Sequence, residues 1–168
     1  EGDRLGHYQT PAGIAETLGA VVTGQRCKVI YPRSVKPADA ERFTRDCDAL
    51  VVAGERWLEL KGPPQITAYL FADAGQKAAL MGAADTYIAK PWRKEIYLQN
   101  NGYPQPALGH EIVHVLAGSM ARGPFKVAGS FGGLFPNPGL IEGVAVAASP
   151  REGDLTPREW ARAMKDLG

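Results

Sequence analysis

Apolar and polar positions alternate along this chain with two different periods, and the periods mark out its elements. Thr10 precedes Pro11 and a short apolar-periodic run, which predicts a helix over 11–19 capped by Thr10. "CKVIYP" (27–32) reads as a strand closed by Pro32. Ala40, Phe43, Cys47, Leu50, Val51, Gly54 and Leu58 then recur at three- and four-residue spacing, predicting an amphipathic helix over 37–59. Gly62-Pro63-Pro64 ends it, and "QITAYLF" follows as a strand. "DAGQKAALMG" reads as a short helix with Asp73 near its start. "TYIAK" and "EIYLQ" flank "PWRK" as a hairpin, or as a strand and its returning edge.

After the turn "NNGYPQ", an almost wholly apolar helix is predicted from Pro106 to Met120. Glycine and proline then dominate 123–137, which reads as loop or short strand. "NPGLIEGVAVAAS" predicts a helix with Asn137 as cap and Pro138 at its first position. "LTPREWARAMKDLG" predicts a last helix with a capping box from Thr156 to Glu159. This order predicts an α+β fold, a small mixed β-sheet packed on helices. Three regions are expected: an N-terminal segment with a short helix (1–26), a main domain (27–150) and a C-terminal helix (151–168), the last a possible start of a further region.

Composition narrows the function. The 168 residues suit one domain with appendages, and 45% hydrophobic content with 22% charge is ordinary for a globular protein. Nineteen basic and 18 acidic residues leave a net charge of +1, no electrostatic case for nucleic acid. No apolar run approaches about 18 residues, so no membrane-spanning segment is predicted. The chain begins at Glu1 with no basic-then-apolar leader, as expected of a processed or excised piece of something larger. Cys27 and Cys47 are its only cysteines. A strand running into an antiparallel helix brings them to one level, so a disulfide and an oxidising compartment, periplasmic or secreted, are one reading. Two buried free thiols are the other, because helix and sheet backbones usually pack about 10 Å apart, too far for a bridge.

The chemistry concentrates in "ALGHEIVHVLAG". His110 and His114, two of three histidines in the chain, stand four apart, so both imidazoles project from one helix face toward a single metal ion. Glu111, one step round, reaches water on such an ion. Random placement would produce this H-E-x-x-H run in roughly three chains per thousand. No other residue from Pro106 to Gly118 is ionisable. Burying three such groups without partners costs several kcal/mol, an objection that a divalent cation removes. A core histidine pair bonded to backbone and water is the alternative.

A catalytic zinc needs a third protein ligand and an open position. His7 lies in the polar N-terminal tail and is a poor candidate. Ala117 and Met120 stand where metzincins place a glycine and a histidine, which excludes that subclass. Between Val127 and Pro150 the one charged residue is Glu142, in a small-residue run where Gly143, Ala145 and Ala147 would allow close helix approach. A lone carboxylate in such a run calls for a cation, which makes Glu142 the candidate third ligand; a solvent-facing Glu142 near a helix N-terminus is the alternative.

"LGHEIVHVL" and "GLIEGVAV" together resemble the gluzincin-type, MA-like zinc metallopeptidases of bacteria, in which a helix bearing Glu-Gly-x-Ala follows the H-E-x-x-H helix after about 30 residues. The resemblance covers roughly residues 27–148. It implies a zincin-like fold, zinc bound by His110, His114 and Glu142, and Glu111 as the base that activates water for hydrolysis of a peptide or protein substrate. It also implies an edge strand, "EIYLQ", holding that peptide. The loop 123–137 is either a cleft wall or lid, or simply a long connection. Two positions depart from the family pattern: Gly139 replaces a frequent tryptophan, and Val146 replaces an aspartate that partners a ligand histidine. No tyrosine or histidine follows Glu142 to stabilise an oxyanion, leaving Tyr97, Tyr103, Arg122 or Arg151 for that role. The competing reading is a non-catalytic zincin-fold binding or scaffolding module of a larger envelope protein.

Overall fold

The structure, a computed structural model, describes residues 9–149 and 155–167; His7 and Arg151 lie outside the described residues. Helix α1 (Pro11–Leu18) starts as its sequence requires, the Thr10 hydroxyl accepting from the Gly13 amide at 3.2 Å. Gly19, at φ 76°, then turns the chain directly into β1 (Gly19–Thr23), a strand that the sequence pattern did not anticipate. The left-handed conformation is open to glycine without a Cβ clash, so helix passes to strand with no loop between.

Strand β1 pairs antiparallel with β2 (Cys27–Pro32). Helix α2 (Pro37–Trp57) crosses to β3 (Ile66–Phe71), which is parallel to β2. Asp73 caps α3 (Ala74–Met81), accepting from the Gln76 amide at 2.8 Å. Strand β4 (Ile88–Lys90), a 3-10 turn over Pro91–Arg93 and β5 (Glu95–Gln99) form the predicted hairpin. Strand β5 also pairs parallel with β3, giving one mixed sheet in the order β1-β2-β3-β5-β4. The expectation for "EIYLQ" is therefore corrected: β5 is interior, and the edge is β4. A strand buried at every position could not be an edge, and all five residues of β5 are buried.

Alternation along β2, β3 and β5 sends side chains to two cores. Val29, Ala68, Leu70, Ile96 and Leu98 face α2 and the later helix α4 (Leu108–Ala117). Ile30, Tyr69, Phe71 and Tyr97 face Ile14 and Leu18 of α1 and Leu80 and Met81 of α3. Tyr69 and Tyr97, register partners on neighbouring strands, stack with centroids 4.7 Å apart. Helices α2 and α4 meet closely at Gly54, where an added Cβ would stand 2.6 Å from Leu116 Cδ1.

Cys27 and Cys47 form a disulfide, with Cα atoms 6.1 Å apart. The close approach it needs comes from Asp48. That carboxylate accepts from the backbone amides of Gln25, Arg26 and Cys27, each at 2.8 Å, and so draws the β1–β2 turn onto α2. Arg26 adds a two-pronged ion pair to Glu55, both contacts at 2.7 Å, which holds the Glu55 carboxyl down to about 2.

The segment beyond α4 forms a small hairpin, β6 (Gly129–Ser130) with β7 (Phe135–Pro136). Asn137 caps α5 (Pro138–Ala148), accepting from the Leu140 amide at 3.0 Å. The last helix, α6 (Pro157–Leu167), carries the expected capping box between Thr156 and Glu159. No helix among the described residues is long and apolar enough to cross a membrane.

Candidate metal centre

Helix α4 is shorter than its apolar run suggested, ten residues rather than the expected 106–120. No side chain caps it from Ala107; instead the Gln105 amide oxygen accepts from the Ala107 backbone at 3.3 Å. Leu108, Ile112, Val115 and Leu116 point into the core shared with α2. The histidines occupy the opposite stripe at the mouth of a cleft, the His110 side chain 25% exposed and that of His114 10%.

Helix α5 packs across α4 and supplies the fourth group. Glu142 Oε2 stands 3.1 Å from His110 Nε2 and 3.4 Å from His114 Nε2, while the two imidazole nitrogens are 3.0 Å apart. Ala145 is the fully buried residue of α5. Gly143 and Ala147, expected to help, face outward, and a Cβ at Gly143 would touch nothing within 4 Å. The Glu142 side chain is 60% exposed, yet its oxygen faces the imidazoles.

Two nitrogens and one carboxylate oxygen at the corners of a 3.0–3.4 Å triangle fit one small divalent ion. Around four-coordinate zinc with bonds of about 2.0–2.1 Å, neighbouring ligand atoms stand roughly 3.3 Å apart. His110, Glu111 and His114 also present ligand atoms within 4.8 Å of one another, so Glu111 lies beside the triangle. Glu111 as a residue is 5% exposed. Burial pushes its pKa up to about 7, the Glu142 charge adds to the rise, and Lys77 opposes it. Burial also lowers the proton affinity of His114, favouring the neutral imidazole that ligates metals.

The cleft in front of these groups encloses about 2090 Å³, well above the 300–1,000 Å³ or so typical of small-molecule sites. Leu50, Trp57, Trp92, Met120, Val127 and Leu140 supply apolar wall. Asp85 to Ala89, leading into and along β4, form one side. The segment 123–137 forms part of another through Lys126, Val127 and Gly129, and Phe125 packs edge-to-face on Trp92 at 5.6 Å. It is thus a cleft wall.

Of the residues considered for oxyanion stabilisation, Arg122 lines the cleft. Tyr97 does not: it is fully buried on the far face of the sheet, donating to Glu95 Oε2 at 2.6 Å. Tyr103 is half exposed beneath Arg42 and interacts with Asp46, away from the cleft. The residue passed over in the sequence is Lys77. It shares a helix face with Leu80 and Met81, and a lysine on a core-facing stripe is the signal that could have revealed it.

No protein-family model, curated protein or solved structure matches this chain.

Proposed function

We propose that this chain is a zinc-dependent peptidase domain of the gluzincin type, with a zincin-like fold, acting on extended peptide or protein substrates. The observation that carries the reading is the triangle of His110 Nε2, His114 Nε2 and Glu142 Oε2, drawn from two helices and open toward a large cleft. These three residues hold the metal. Bound there, zinc supplies Lewis acidity, polarising a scissile carbonyl and making water more acidic.

The remaining work falls to the protein. Glu111 accepts the proton as water attacks, and passes it to the leaving amine. Buried beside the triangle, the Glu111 carboxyl is placed for both transfers. Among the described residues strand β4 pairs on one side only, with β5, and its other edge is the one that takes an extended peptide in the cleft. Arg122 is the cleft-lining cation available to a developing negative charge. The apolar wall favours bulky apolar side chains on the substrate. The Cys27–Cys47 disulfide suits an extracytoplasmic setting, periplasmic or secreted, and we include that location in the proposal.

The test is metal content read beside hydrolysis of an internally quenched peptide with a central Phe-Leu pair. Wild-type protein should carry about one zinc per chain and cleave. His110→Ala should lose both properties, and Glu111→Gln should keep zinc but lose turnover. Zinc without turnover in the wild type would favour a scaffolding module, and equal turnover in wild type and Glu111→Gln would remove Glu111 from the reaction.

A further inference from the structure

Lys77 is fully buried in α3, and burial lowers its proton affinity against the pull of the Glu111 and Asp85 carboxylates. Removing an ammonium from water is costly unless fixed partners replace the water. Its Nζ has them: it donates to the Thr86 carbonyl and, at 3.2 Å, to Gln99 Oε1, and it stands 5.5 Å from the centre of the Tyr87 ring. Gln99 continues the path, its backbone carbonyl accepting from Gln105 Nε2 at 2.6 Å, and Gln105 reaches the start of α4. Of six buried polar side chains among the described residues, three (Lys77, Gln99 and Gln105) lie along this path.

What the ammonium holds matters for the cleft. Strand β4 is three residues long, and its ladder with β5 ends at the pair Ile88–Tyr97. Thr86 and Tyr87 precede that ladder, yet both line the cleft. The sheet therefore does not fix the approach to the edge strand; the Lys77 Nζ bond to the Thr86 carbonyl holds it, beside the Asn101 amide on the Tyr87 hydroxyl and the packing of Tyr87 against the core.

We infer that Lys77 is a positioning residue of the cleft: its buried ammonium grips the Thr86 carbonyl and so holds the leading end of β4 where an extended peptide pairs. This rests on the peptidase reading above for its functional consequence, but not for the tether itself. Lys77 touches no reacting atom and acts through the strand.

The experiment compares the zinc-loaded wild type with Lys77→Met and Lys77→Gln. Methionine keeps the bulk and removes the donor; glutamine keeps a shorter, neutral donor. For Lys77→Met, amide exchange over Thr86–Ala89 should quicken about tenfold, and KM for the quenched Phe-Leu peptide should rise about tenfold, with zinc stoichiometry little changed and kcat little changed on the alkaline plateau, where Glu111 is ionised with or without the Lys77 charge. Lys77→Gln should recover part of both effects, leaving KM roughly threefold above wild type. If Lys77→Met does not fold, Lys77→Gln carries the test through the same two readouts. Unchanged exchange at Thr86–Ala89 would overturn the inference, as would a fall in kcat at unchanged KM. Failure of the peptidase reading looks different: wild type without zinc, or turnover in Glu111→Gln, with exchange at Thr86–Ala89 still responding to Lys77.

Discussion

Glu142 lies 32 residues beyond His110 in sequence, and its Oε2 stands 3.1 Å from His110 Nε2. Two exposed groups at a cleft mouth gain little from such proximity in water, since an exposed ion pair is worth less than about 1 kcal/mol. A shared cation gives both a stronger reason to converge. Glu142→Ala should therefore weaken zinc binding by at least about 100-fold, more than an outer-shell change does. Competition against a chelator of known affinity measures it, and undiminished affinity would remove Glu142 from the ligand set.

Zinc loading should raise thermal stability in proportion to affinity, because the folded chain alone presents the triangle. Free zinc at 100 times the dissociation constant adds about 2.7 kcal/mol. Melting with increasing zinc should show the rise in wild type and lose it in His110→Ala.

Glu111 predicts an unusual pH dependence for the metal-free protein. Its folded pKa, about 7, is raised from 4.5, so the folded state binds the proton more tightly than the unfolded state. Its contribution falls as pH rises from about 4.5 to about 7 and is level above that. The loss is about 3 kcal/mol. Urea midpoints in chelator should drop over this interval more steeply for wild type than for Glu111→Gln. Parallel curves would mean that the carboxyl is not buried as described.

Glu55 has the opposite sign. Its pKa is lowered to about 2 by the two bonds from Arg26, so its contribution is present above the unfolded value of 4.5 and disappears as pH falls toward 2. Glu55→Gln should cost about 1 kcal/mol at pH 7, given partial exposure of the pair, and nothing near pH 2. Acid titration of the denaturation midpoint for both proteins checks this.

The Cys27–Cys47 bridge closes a sequence separation of 20 residues. Restricting a loop of that size in the unfolded chain stabilises the fold by about 3 kcal/mol. Reduction, or Cys27→Ser with Cys47→Ser, should lower the urea midpoint accordingly while leaving the far-UV spectrum intact. An unchanged midpoint would show that the bridge adds nothing beyond what Asp48 already holds.

Much of this architecture could be read before any coordinates. Caps at Thr10, Asp73, Asn137 and Thr156 act through bonds spanning three residues, so local sequence carries them in full. The H-E-x-x-H spacing is equally local, because helical geometry alone sets His110 and His114 on one face. Strand β1 escaped notice because "GAVVT" is brief and follows α1 without a break, its identity resting on pairing with β2.

Other features depended on segments far apart in the chain meeting in space. Sheet order made β4 rather than β5 the edge, since a strand's neighbours are chosen by packing and not by its own residues. Asp48 reaching the β1–β2 turn gave the cysteines their close approach, and nothing in the spacing of Cys27 and Cys47 encodes that grip. Lys77 meets the Thr86 carbonyl and Gln99 because α3, the end of β5 and the segment leading into β4 converge there. The sequence by itself determined the helices, their caps and the pair of imidazoles, all consequences of bonds and side-chain directions repeated over a few residues. Glu142 stood out in the sequence as the lone charge of its run; only the tertiary structure decided the free edge, the disulfide and the distance at which that carboxylate meets the histidines, because each joins groups whose separation is set by how whole elements pack.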